Sequence, residues 1–81
     1  MKKYTGTFFE VISKDNSYKL ADRLNTFEEA KKYREESIQR QLDRGYTPDK
    51  LIITRTIWSR VFTDDGEFYS ETSDTVRMEE N

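Results

Sequence analysis

The stretch Leu51-Ile52-Ile53-Thr54-Arg55-Thr56-Ile57-Trp58-Ser59-Arg60-Val61-Phe62, followed by Asp64-Asp65-Gly66, decides how the rest of this chain is read. Its β-branched and aromatic residues suit a pleated surface and not a helix, and the Asp-Gly pair after it signals a hairpin turn. Glu67 to Met78 then returns antiparallel. Leu51, Ile53, Ile57 and Val61 point one way, interrupted by Arg55 and Ser59, and are read as the face beneath a helix. Ile52, Thr54, Thr56, Trp58, Arg60 and Phe62 point the other way, a mixed polar and aromatic set that fits a solvated sheet face or an interface. A two-residue turn at Asp65-Gly66 pairs Phe62 with Tyr69, Arg60 with Glu71 and Thr56 with Thr75. A three-residue turn with Gly66 in a bulge pairs Phe62 with Phe68 instead, and the sequence leaves the two registers open.

Upstream, Thr26-Phe27-Glu28-Glu29 is a capping box, which predicts a helix from Phe27 to Arg44 with Thr26 as N-cap. Gly45 follows as a left-handed C-cap, and Pro48 blocks continuation. Phe27, Ala30, Tyr33, Ile38 and Leu42 fall on one half of this helix, with Arg34 and Gln41 projecting near the middle of the same half. Both long side chains are expected to lie along the core edge and reach water. Otherwise Arg34 is a paired or interfacial charge, since an unpaired buried guanidinium is prohibitive. Before the helix, Tyr4 to Ser13 reads as a strand, Asp15-Asn16-Ser17 as a turn and Tyr18 to Leu24 as a second short strand. The architecture predicted is α+β, with one helix packed on one face of a three- to four-stranded antiparallel sheet, ββαββ, or βαββ if the short strand fails.

With 81 residues the chain makes a single domain, residues 1–81, and 14% aromatic content is too rich for a disordered chain despite 37% charged residues. No cysteine is present, which excludes a disulfide scaffold and fits a reducing cytoplasm. No apolar run approaches a membrane span, so no membrane role is expected. Charge is uneven: residues 64–81 carry one arginine against seven acids, a net of -6, whereas the whole chain carries only -2. That acidic end is either a solubilising edge or a surface that meets a basic partner.

Histidine is absent as well as cysteine, which removes the usual proton shuttle, the thiolate nucleophile and the soft metal ligands together. Asp64-Asp65-Gly66-Glu67 lacks the spacing of a calcium loop, and Gly6, Gly45 and Gly66 are too scattered for a phosphate loop. The chain is therefore read as non-catalytic and without cofactor or metal. Eleven aromatic rings cannot all be buried on one side of one small sheet. Trp58, Arg60, Phe62 and Tyr69 are the candidate partner-binding patch, exposed or buried in a homodimer, with Glu71 on the return strand and Arg34 on the helix as further candidates. A protein partner is the first reading. Nucleic acid stacking on Trp58 and Phe62, with Arg60 and with Arg55 or Lys19 and Arg23 nearby, is the alternative, opposed by Glu67, Glu71 and Asp74 on the partner strand.

The run Asn25-Thr26-Phe27-Glu28-Glu29-Ala30-Lys31-Lys32-Tyr33, then Gly45, Leu51-Ile52-Ile53 and Phe62-Thr63-Asp64-Asp65-Gly66-Glu67, resembles small, mostly uncharacterised proteins encoded in phage and prophage genomes. The resemblance spans about two thirds of the chain, through structural motifs: a capped helix, a C-cap and a hairpin turn. It implies an early or accessory phage protein acting in the host cytoplasm. That group includes anti-CRISPR and other host-defence inhibitors, which occlude a site on a host protein. Under that implication the acidic return strand would imitate nucleic-acid charge against a basic host protein.

Overall fold

A computed structural model describes residues 1–80. Two strands, β1 (Lys2–Ser13) and β2 (Lys19–Leu24), precede a helix, α1 (Phe27–Asp43), and two more, β3 (Leu51–Phe62) and β4 (Phe68–Glu80), follow it. The four strands form one antiparallel sheet in the order β2-β1-β3-β4, the ββαββ form of the α+β fold.

Local chemistry sets the boundaries. Thr26 is extended and its hydroxyl accepts from the Glu29 amide at 3.1 Å, which starts α1. At the other end Gly45 has φ +79°, the Gly45 amide donates to the Leu42 carbonyl, and the Tyr46 amide donates to the Gln41 carbonyl, a Schellman closure. Asn16, at φ 61°, turns the β1–β2 connection, with the Ser13 amide bonded to the Tyr18 carbonyl across it.

α1 covers only part of the sheet. Val11, Ala30, Leu51 and Ile53 form the core, flanked by Phe9, Leu20, Ala21, Leu24, Phe27 and Ile38. A helix of 17 residues is roughly 25 Å long, whereas a strand of 12 residues runs roughly 40 Å. The far halves of β1, β3 and β4 therefore project past α1 as a three-stranded arm, and the longest dimension of the molecule is 57 Å. Of the four residues expected beneath the helix, Leu51 and Ile53 are buried, but Ile57 lies in the arm and is 48% exposed.

The hairpin contains both candidate registers. Thr63 and Glu67 close a loop of Asp64, Asp65 and Gly66, and Phe62 pairs with Phe68. A bulge at Tyr69 then shifts the ladder by one, so that Val61 pairs with Ser70, Arg60 with Glu71 and Thr56 with Thr75. The Thr56 and Thr75 hydroxyls are 2.7 Å apart.

The helix stripe also needs correction. Ala30, Arg34 and Ser37 are its buried line, while Tyr33 and Leu42 are about half exposed. Arg34 does not reach water: only 5% exposed, it crosses beneath the helix to bond the Glu79 carboxylate on β4. That bond holds the Glu79 carboxyl below its usual range. Gln41 is a latch: its amide donates to the Asp49 carboxylate and its carbonyl accepts from the Asp49 amide, both at 3.0 Å, which fixes the α1–β3 connection.

Candidate functional site

The face of the sheet turned away from α1 carries the side chains of Tyr4, Phe8 and Glu10 on β1, Thr56, Trp58, Arg60 and Phe62 on β3, and Glu71, Ser73 and Thr75 on β4. Between this face and β2 runs a groove of about 380 Å³. Its floor is set by one small residue. Trp58 pairs across from Gly6, and its indole occupies the space into which a side chain at Gly6 would project. A Cβ at Gly6 would fall 2.5 Å from Cζ2 and 2.6 Å from Cε2 of the ring. Any residue but glycine lifts the ring, so Gly6 is what lets Trp58 lie down and keep the groove open.

Two guanidinium groups cap two rings along this floor. Arg60 lies 5.3 Å from the Trp58 ring centroid and Arg23 lies 5.6 Å from that of Phe8. Arg60 is braced from β4 by Glu71 at 3.2 Å, the cross-strand pair expected from the sequence. Arg23 arrives by a different route. Val11 pairs with Ala21 but Phe9 with Leu24, so β2 bulges at Asp22 and Arg23, opposite Glu10. Arg23 has φ +53°, a left-handed conformation that costs an L-residue about 1–2 kcal/mol. That strain turns its side chain over Phe8.

The β2 wall of the groove is a charge cluster. Lys19 Nζ is 2.8 Å from Glu10 Oε2 and 3.6 Å from Asp22 Oδ1. Burial, then the adjacent Asp22 carboxyl, push the Glu10 carboxyl above its usual range. Asp22, bonded to Glu10, is held below its own. Lys19 is raised by its bond to Glu10. The groove as a whole opposes Lys19, Arg23 and Arg60 with Glu10, Asp22 and Glu71, a balanced set.

Toward the tip of the arm the floor continues as rings. Phe62 meets Tyr4 edge-on at 5.7 Å and Phe68 edge-on at 6.0 Å. Tyr4, Phe68 and Tyr69 are each more than half exposed, and the amino terminus of Met1 is tied to Asp64 at 2.7 Å beside them.

Of the sequence-predicted residues, Trp58, Arg60 and Glu71 line the groove and Phe62 extends it. Tyr69 is exposed but stands in the bulge, out of the pair with Phe62 that a two-residue turn requires. Arg34 does not belong to this surface: it is buried beneath the helix and bonded within the chain, because Glu79 on β4 comes within its reach. Sequence reasoning missed Phe8, Glu10 and Asp22. Alternation along β1 puts Phe8 and Glu10 on the same side as Tyr4 and Gly6, but the bulge that adds Asp22 and Arg23 carries no sequence signal of its own.

A larger cavity, about 440 Å³, lies at the other end of the molecule between the β1–β2 turn and the α1–β3 connection. Its polar groups bond to one another: Tyr18 Oη donates to Asp49 at 2.7 Å, and Ser13 Oγ donates to Asp15 at 2.8 Å. It is a braced joint between two loops. No family model, no curated protein and no solved structure matches this chain. Among the described residues no helix is long and apolar enough to cross a membrane, and no cluster of three or more acidic residues is placed to hold a metal ion.

Proposed function

We propose that this chain is a non-catalytic protein-binding module whose partner docks on the helix-free sheet face, against Trp58, Arg60, Phe62 and Glu71, with the acidic β4 beside them. The single observation that carries this reading is the ring floor with a guanidinium over each of two rings, one of them paired with Glu71, since Trp and Arg are the residue types that anchor protein interfaces. Charge supports a protein over nucleic acid as the partner class. Three acids face three bases in the groove, which suits the mixed polar surface of a protein, whereas a phosphate backbone requires a positive excess. If the chain acts as the phage-protein resemblance implies, the partner is a basic host protein and docking occludes its working surface.

The test is site-specific photocrosslinking in the host cell. A photoreactive residue at Ser73, on the groove wall, should trap one discrete protein, and the same residue at Glu36, on the outer face of α1, should trap none. Capture of nucleic acid at Ser73, or equal capture at both positions, refutes the reading.

A further inference from the structure

The sheet ends at β4, and nothing among the described residues pairs with its outer side. We infer that this edge takes a lysine- or arginine-rich extended segment of a partner protein as a fifth strand. The inference rests on the reading of the chain as a protein-binding module and assigns how its acidic strand binds.

Three observations carry it. First, Ser70 to Arg77 pairs with β3 without interruption, between the bulge at Tyr69 and a second irregularity near Met78. This regular window is roughly 26 Å long, the length of an ordinary strand. Proteins blunt exposed edges with lysine, proline or a bulge through the middle; β4 contains no lysine and no proline, and its irregularities sit at the two ends. Second, the charge is one-sided. The window holds Glu71 and Asp74 against Arg77, a net of -1, and Glu79 follows just beyond it. Glu71 is engaged by Arg60 and Glu79 by Arg34, whereas Asp74, in the middle of the window, is exposed and in no ion pair among the described residues. Third, Phe68, Tyr69, Val76 and Met78 are exposed to 60%, 61%, 40% and 42%, so apolar surface flanks the open ladder.

The same charge argues against a second copy of this chain, since pairing β4 with β4 sets two net-negative windows side by side. Of the other open edges, β1 from Lys2 to Phe8 carries Lys2 and Lys3 and no acid, and β2 carries Lys19 and Arg23 against Asp22, so neither shares this preference. Strand addition gives affinity through backbone hydrogen bonds, and the basic side chains select the partner.

Three labelled peptides test this by NMR and fluorescence titration against the full chain: an alternating Lys-Val peptide, its Glu-Val counterpart, and the Lys-Val peptide N-methylated along one edge. The Lys-Val peptide should bind, shift the amides of Ser70 to Arg77, slow their exchange, and bind at least tenfold more weakly to Asp74→Lys. The Glu-Val and N-methylated peptides should bind at least tenfold more weakly than it does. Equal binding by the N-methylated peptide would reduce the effect to loose charge attraction and overturn the inference. So would shifts confined to the groove, an absence of binding, or a concentration-dependent dimer that protects β4. Crosslinking from Asp22, on the β2 wall of the groove and away from β4, failing while the peptide still adds to β4 would sink the groove reading and leave this one standing.

Discussion

Gly6→Ala tests the seating of Trp58 directly, and its cost follows from the geometry. The new methyl would lie 2.5 Å from the indole, where carbon atoms at rest sit roughly 3.5–4.0 Å apart, so the ring must withdraw by about 1 Å or more. Forcing a group into such a contact costs about 1–3 kcal/mol. Replacing glycine by alanine in a strand returns about 0.5–1 kcal/mol, because glycine loses the most freedom on folding. The net runs from about 0 to 2.5 kcal/mol and centres on about 1 kcal/mol of destabilisation, which for 81 residues lowers Tm by roughly 4–8 °C. Trp58 is the single tryptophan of the chain, so its fluorescence reports this one contact without interference. Gly6→Ala should shift the emission to the red, increase quenching by iodide, and lower Tm together. Unchanged emission with an unchanged or raised Tm would show that the indole does not rest on Gly6, and the floor of the groove would have to be redrawn.

Three further outcomes follow from polar groups bonded within the chain. Arg34 Nε and Nη1 are buried without a hydrogen-bond partner, so Arg34→Met should hold or raise the urea midpoint, whereas Glu79→Gln, which leaves the guanidinium without its countercharge, should lower it. Because the folded-state pKa of Glu79 is depressed, its contribution is in place above the unfolded value of about 4.3 and is lost as pH falls through the folded one; the gap between wild type and Glu79→Gln in urea should close over that interval. Tyr18, pushed up to about 12 by burial and by its bond to Asp49, keeps its stabilising effect at neutral pH and below, and loses it as pH rises from about 10 through 12. An ultraviolet titration should show one late phenol, and Asp49→Asn should move it earlier.

Most of the fold was legible because each boundary is written locally: Thr26 and Glu29 start the helix, Gly45 stops it, and Asp64-Asp65-Gly66 turns the hairpin. The register was legible only as two alternatives, and the chain uses both, one on each side of Tyr69, because the three-residue loop and the Arg60–Glu71 and Thr56–Thr75 pairs each satisfy their own local chemistry. What periodicity could not give was where α1 stops relative to β3. Ile57 has the same alternation as Ile53, and only the shorter reach of a helix tells them apart. The β3 and β4 side of the groove followed from alternation, while the β2 side depends on the unusual backbone of Arg23. Arg34 was placed on the right face of the helix and the chain takes the paired alternative, but its partner Glu79, on β4, had no signal in the sequence.

The place of β1 in the sheet has a consequence for how the chain is made. Lys2 finds its neighbour in Phe62 and Ser13 in Leu51, so β1 waits until β2, α1 and β3 have all followed it before its second flank is filled. Until then the nascent chain can form the β1–β2 hairpin and α1, with the backbone of Phe8, Phe9, Val11 and Ile12 open on one side. Long-range closure of this kind slows folding and exposes a sticky segment while translation proceeds. A ribosome that stalls before Leu51 would therefore leave a fragment prone to aggregate.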